Sequence, residues 1–293
     1  MKLSAIVFYR WLVTFPFVIA LYGGTASAIE GVSLPFDLQK IADRGKLTVV
    51  MLRDEAVPFF MNDTGGRLFG FDVDLANDIA RRLGVEVEFK REAKTYDDIV
   101  KLVAERRGDI AVSNLSRTIG RAKYVRFTEP YIVLHQTLLV NRLAAARQRR
   151  GQDPLKILNH TDVKIGTIGG SSYINFAEDA FPQATIVPYT DREQAIQDVL
   201  DEKIVAFMFD NMVIKNWHFE HPEGGLLLQT TVMKEREDPI SFAVPWDSTH
   251  LLSWLELYLR EIKKNGFLDE LVDKFINNDQ WRQRWQPQKQ NQN

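Results

Sequence analysis

Apolar and polar positions follow two alternating periods along this chain. Lys46-Leu47-Thr48-Val49-Val50-Met51-Leu52 is a nearly continuous apolar run, the pattern of a buried strand. Phe71, Leu75, Ile79 and Leu83 recur every four residues, which predicts an amphipathic helix over 72–83 that Gly84 ends. Val85, Val87 and Phe89 alternate with Glu86, Glu88 and Lys90, so a half-exposed strand follows. Tyr96, Ile99, Val100 and Val103 form the stripe of the next helix, and residues 110–112 form a third strand. This βαβαβ order implies a largely parallel sheet with helices on its faces.

The architecture then repeats without a repeat in sequence. Strands are predicted at 163–168, 184–187 and 204–209, with helices at 172–180 and 192–201 between them. The second helix turns Ala195, Ile196, Val199 and Leu200 inward. Between the halves lies 142–154, where Arg147, Arg149 and Arg150 form a small basic run that reads as solvated surface. Beyond Asp238-Pro239 come a strand at 240–244 and two helices. Their stripes are Leu251, Leu252, Leu255, Leu259 and Ile262, then Phe267, Leu268, Leu271, Val272 and Phe275, with Gly266 between. Trp281 and Trp285 sit one turn apart, and the reading favoured is that they pack back on the fold. The 286–293 tail is Gln/Asn-rich and reads as disordered.

At 293 residues, two domains or lobes are expected. Apolar residues at 45% and charged residues at 26% suit an ordinary globular chain. The formal charge of -2 gives no electrostatic reason to expect nucleic acid. With no cysteine, disulfides, thiolate chemistry and Cys-based zinc sites are excluded. Residues 1–28 read as a cleaved secretory signal, with a basic start at Lys2 and Arg10. A short apolar stretch from Trp11 to Leu21 follows, and Ala26-Ser27-Ala28 is a small-residue cleavage site. Losing Lys2 and Arg10 leaves 35 basic against 39 acidic residues. The product is expected to be exported and soluble.

Candidate chemistry concentrates in Asn114-Leu115-Ser116-Arg117-Thr118-Ile119-Gly120-Arg121, just past the third strand. Open α/β sheets bind ligands at that end of their strands. An amide, a hydroxyl, backbone N–H groups and a guanidinium meet there, and a rigid Arg fork suits a carboxylate. The same residues also fit a polar loop with a solvated Arg121, and the pattern alone leaves both open. Other motifs fail. His218 and His221 have no evident third metal ligand, and Asn216-Trp217-His218 reads as a helix exterior. Residues 166–170 lack the Lys-Ser/Thr that completes a phosphate loop. No metal and no cofactor is expected.

Five segments occur in order: GKLTVV, VPFFMNDTGGRLFGFDVDLANDIARRLGVEVEF, GDIAVSNLSRTIGRAKYVRFTEPY, KIGTIGGSSY and VAFMFDN. Together they resemble the family 3 bacterial extracellular solute-binding proteins, the periplasmic amino-acid receptors of ABC importers, over roughly residues 40–278. The resemblance implies a type II periplasmic binding protein fold, with two α/β lobes, a two-strand hinge and the ligand in the cleft. Lobe 1 is then 29–141 with 236–285, and lobe 2 is 142–235. The chain is expected to cross near Asn141 and return near Glu235.

The resemblance also implies a ligand set. Arg121 matches the arginine that holds the ligand α-carboxylate, and Ser116 matches a hydroxyl residue on the same group. Asn114 stands where a backbone carbonyl meets the α-ammonium. Ser171 and Ser172 match residues at a helix N-terminus that complete the carboxylate site, where unpaired N–H groups gather. Asp210 matches the acid that pairs with the α-ammonium, although its position also suits an N-cap. Tyr96 matches an aromatic on the pocket wall, and the stripe of its own helix is the competing reading. An aromatic common in the family two residues before the Pro-Phe pair is replaced here by Ala56.

For the ligand side chain, Arg53 stands where receptors for basic amino acids have an acid and glutamate/aspartate receptors an arginine. Arg192 falls where the latter place a histidine, while Asp98 replaces another of their arginines. Charge complementarity then favours an acidic amino acid, with a neutral polar one next. The expected partners are an amino-acid ligand and the ABC permease membrane subunits, with the receptor a monomer. Two alternatives remain. One is a cyclohexadienyl dehydratase-like enzyme on the same fold, with Glu55 or Glu129 as general acid. The other is a ligand sensor acting with a membrane receptor.

Overall fold

The computed structural model describes residues 32–148 and 157–285. The signal-like residues 1–28, the tail 286–293, and Arg149 and Arg150 of the basic run lie outside that range. The first half runs α1 (Phe36–Arg44), β1 (Lys46–Leu52), β2 (Met61–Asn62), β3 (Leu68–Phe69), α2 (Phe71–Leu83), β4 (Glu86–Ala93), α3 (Tyr96–Ala104), β5 (Ile110–Ala111), β6 (Val125–Phe127) and β7 (Ile132–Asn141). Next come α4 (Arg142–Gln148), β8 (Lys164–Ile168), α5 (Tyr173–Ala180), β9 (Thr185–Tyr189), α6 (Arg192–Leu200), β10 (Ala206–Asp210) and α7 (Asn211–Glu220). The chain returns through β11 (Leu228–Ile240), β12 (Ala243–Pro245), α8 (Thr249–Lys264) and α9 (Phe267–Val272).

Two five-stranded sheets result, ordered β4-β1-β5-β12-β6 and β9-β8-β10-β7-β11. The orders correspond: second strand, first, third, an antiparallel strand contributed from across the crossing, then a fourth. β1 pairs in parallel with β4 and β5, as β8 does with β9 and β10. The helices between parallel strands are the crossovers that such pairing requires. Local signals agree with this. Gly84 ends α2 in the left-handed region at φ +73°. Thr95 and Asp98 form a capping box at the start of α3, so Asp98, read above as a departure from the acidic receptors, is engaged with backbone N–H groups.

Apolar side chains form two cores. One holds Val49, Phe60, Phe71, Leu75, Ile79, Ile110 and Phe242, the other Leu138, Ile165, Ile196, Phe207 and Ile214. Each such side chain contributes about 1.5–3 kcal/mol when fully buried. Core membership changes along β7 between Leu134 and Leu138, and along β11 between Met233 and Ile240. The expected crossing at Asn141 is therefore corrected to an earlier point. Asn141 pairs with Leu228 at the far end of the antiparallel β7/β11 pair, already inside the second lobe. The register of that pair shifts between Val232 and Glu237.

Asn216 and Trp217 also differ from expectation, since both are buried on the inner side of α7 rather than on a helix exterior. Gly224 explains the tight fit: a Cβ there would lie 2.3 Å from the Trp217 ring. Trp281 and Trp285 pack back on the fold. Their indole N–H groups donate to the Phe275 carbonyl (3.0 Å) and to Glu55 (3.1 Å). Beside them, the Arg282 guanidinium lies over Phe219 at 3.9 Å and over Trp281 at 4.3 Å, and donates to Asn216. Asn216 in turn donates to the Val57 carbonyl, so this cluster joins the lobes through residues that do not line the cavity between them. Among the described residues, no helix is long and apolar enough to cross a membrane.

Candidate functional site

A small cavity lies between the lobes, lined by Tyr96, Asn114, Ser116, Ser171, Ser172, Tyr173, Phe209, Asp210 and Asp238. Six of the nine residues singled out in the sequence are on this wall: Tyr96, Asn114, Ser116, Ser171, Ser172 and Asp210.

Asn114 follows β5 in the left-handed region at φ +46°, which a short polar side chain tolerates. Its N–H donates to Asp72 of α2 (2.6 Å), and the other Asp72 oxygen accepts from the Tyr131 hydroxyl (2.8 Å). Burial pushes the Asp72 carboxyl up to about 7, although both donors lower it. The turn is also stitched to the end of β11. Arg117 N–H donates to the Pro239 carbonyl (2.8 Å), and Ser241 N–H to the Leu115 carbonyl (3.1 Å). Asp72 sits inside a quoted motif, yet no periodicity separates this buried anchor from the other acids of α2.

From the second lobe, the Ser172 hydroxyl donates to the Ser116 hydroxyl, and the Ser171 hydroxyl to the Ile168 carbonyl (2.6 Å). Both serines stand at the N-terminus of α5. Asp210 satisfies both of its readings. Its Oδ1 caps α7 by accepting from the Met212 and Val213 N–H groups, each at 2.8 Å, while the residue lines the cavity. Burial raises this carboxyl to about 6, against the two N–H groups and the Asn114 amide. Tyr96 likewise serves twice, packing against both cores as it forms the wall. Its phenol is pushed up by burial and by the Asp210 charge.

Three wall residues were not singled out: Tyr173, Phe209 and Asp238. Tyr173 and Phe209 stack at 4.4 Å, and the Tyr173 hydroxyl donates to Asp238 Oδ2 at 3.0 Å. Asp238 is 1% exposed, and burial lifts its carboxyl to about 7. In the sequence, Asp238-Pro239 looks only like a strand boundary.

Residues 48–278 match the bacterial extracellular solute-binding proteins, family 3. The chain belongs to this family. The Arginine-binding periplasmic protein of Mannheimia haemolytica is 24% identical over 230 residues, covering 78% of this chain and 90% of the relative. The ABC transporter glutamine-binding protein GlnH of Bacillus subtilis (strain 168) is 24% identical over 244 residues, covering 83% and 85%. The crystal structure of the ancestral amino acid-binding protein AncCDT-1, a precursor of cyclohexadienyl dehydratase, superposes with a TM-score of 0.67 at 30% identity. That superposition covers 81% of this chain and 98% of the other. The architecture is accordingly the two-lobed type II fold.

In this solute-binding protein the three arginines stand apart from the wall. Arg121 is buried beside the cavity but does not line it. Its Nε and Nη2 reach Asp97 at 3.2 and 3.0 Å, and its Nη1 reaches the Ser116 carbonyl at 3.2 Å. Its fork is turned to an acid of α3. Arg53 is mostly exposed and paired with Asp54, and Arg192 is paired with Glu193 at the start of α6. Neither lines the cavity, although the Arg192 charge helps to lower the Asp210 carboxyl; the ionisable acids on the wall are Asp210 and Asp238. Both arginines have an acidic neighbour in sequence that draws the side chain off. The two candidate general acids also stand elsewhere. Glu55 accepts from Asn62 and Trp285, and Glu129 is exposed beside Arg117. His218 bonds to Thr230, and among the described residues no group of three acids or histidines is placed to hold a metal.

Proposed function

We propose that this family 3 protein captures one free amino acid in the cleft and delivers it to the membrane subunits of an ABC importer. The carrying observation is Asp210. A buried carboxylate that spends one oxygen on a helix cap and lines the cavity suits a ligand ammonium, because buried charges need partners. Ser116, Ser171, Ser172 and the N-terminus of α5 suit the ligand carboxylate. Arg121 joins them once its fork turns from the exposed Asp97. The names of the relatives support an amino acid and a transporter. The chain acts as a periplasmic monomer after loss of residues 1–28. The β7/β11 pair is its hinge, flexing near the register shift. Closure then favours the state that the transporter reads through the extra contacts made to ligand.

The test is titration calorimetry of the chain from Ile29, unfolded and refolded to strip ligand, against each L-amino acid. Tight 1:1 binding of one class supports the reading, and no binding by any of them rejects it. Recovery of the ligand unchanged after long incubation, followed by NMR, separates a receptor from an enzyme.

A further inference from the structure

Asp238 lies on β11 opposite Leu134 of β7, where the hinge strands enter the first lobe. One of its oxygens accepts from Tyr173. The other, Oδ1, is buried without a hydrogen-bond partner, on a residue that lines the cavity. No Lys, Arg or His lines that cavity; Arg121 is engaged with Asp97 and, in the reading above, turns from it to the ligand carboxylate rather than to Asp238. Asp210 has two backbone N–H groups to offset its burial, whereas Asp238 has only hydroxyls, with Tyr173 donating to its Oδ2 and Ser116 also lowering its carboxyl, and its Oδ1 is left without a partner. One ligand ammonium suffices for Asp210. A second carboxylate on the same wall calls for a second donor group, and a cation answers it best. The Tyr173–Phe209 stack and Tyr96 offer an apolar wall for the stem that would carry it.

We propose that Asp238 is a specificity-determining residue that selects an amino acid with a cationic side chain over its neutral or acidic counterparts. This rests on the amino-acid reading above and reverses the charge preference that Arg53 and Arg192 suggested. A carboxyl held near neutrality by burial is also one that a cation can readily ionise.

The experiment compares L-arginine with L-citrulline, and L-lysine with L-norleucine, by calorimetry at pH 8 on wild type and Asp238→Asn. Each pair differs mainly in side-chain charge. Wild type is expected to prefer at least one cation over its counterpart by about 10- to 100-fold, the span of a charged hydrogen bond. Asp238→Asn keeps the shape and an acceptor for Tyr173, and is expected to bring that ratio near one with neutral binding retained. A ratio unchanged in Asp238→Asn overturns the proposal, as does a wild type that prefers glutamate or the neutral analogues. Should the variant fail to fold, proton release by wild type near pH 7 decides: more release with the cation than with its analogue supports the assignment, and equal release overturns it. No amino-acid binding at all rejects the receptor reading itself, an outcome distinct from tight binding with the wrong preference.

Discussion

The Ser172 hydroxyl of the second lobe donates to the Ser116 hydroxyl of the first at 2.9 Å. The lobes therefore meet at the cavity wall itself. A backbone bond lies alongside, from Asp97 N–H to the Gly170 carbonyl at 3.0 Å. Closure contacts and the proposed ligand contacts thus draw on the same few residues, so the two can be perturbed together or apart.

Gly170 separates them. It stands at φ +69°, and a Cβ there would lie 2.7 Å from Thr95 Cβ across the cleft. Gly170→Ala is expected to hold the lobes slightly apart and weaken ligand binding by about tenfold, or 1.4 kcal/mol. Calorimetry gives the affinity, and small-angle scattering with saturating ligand should show a larger radius of gyration than wild type.

Arg121→Ala is expected to lower amino-acid affinity by about 2–5 kcal/mol, the range for removing one partner of a buried charge pair. Asp97→Asn releases the same fork and is expected to leave affinity unchanged or raise it. A drop in both variants would mean that the Arg121–Asp97 pair, rather than Arg121 with the ligand, is what binding needs.

Asp72 supports the Asn114 turn. Asp72→Ala strands the Asn114 N–H and the Tyr131 hydroxyl, each worth about 1–3 kcal/mol when buried without a partner. Urea unfolding should show that loss with an unchanged slope. Asp72→Asn should fall between wild type and Asp72→Ala, since it keeps one acceptor.

Much of this was legible beforehand, and the exceptions have physical causes. Strand β1, the helices α2 and α3, and the doubled α/β architecture follow from hydrophobic period, and Gly84 marks the end of α2. The turn from Asn114 to Ser116 was found because polar residues follow a buried strand. Long-range pairings were not legible. The partner of Arg121 comes from 24 residues away, and that of Asp238 from 65. Sequence position gives no side-chain direction for Arg53 and Arg192, and each is turned to the acid next to it.

Acidity should act oppositely on folding and on binding. Burial raises Asp72 and Asp238 to about 7 and Asp210 to about 6, from 3.8. Between pH 4 and 7 the folded chain then holds more protons at these sites than the unfolded chain. Their contribution to stability is greatest at the acid end and declines as pH rises through the window. Asp63 and Asp198, which hydrogen bonds hold low, shift the balance only below it. An ammonium needs ionised carboxylates, so affinity should instead rise from pH 5 to 8, with protons released on binding. Thermal melts across pH and calorimetry in buffers of different ionisation heat check the two signs.

The Arg282 cluster lies outside the cavity, yet it ties α7 to Val57 of the opposite lobe. A solute enclosed by both lobes cannot leave faster than they part, so escape is timed by such remote fastenings as well as by the solute's own bonds. Two chemically different solutes could then share one dwell time, with loosening of Arg282 shortening both alike. Release would be a property of the hinge, and a transporter that pries the lobes open would set the tempo of uptake.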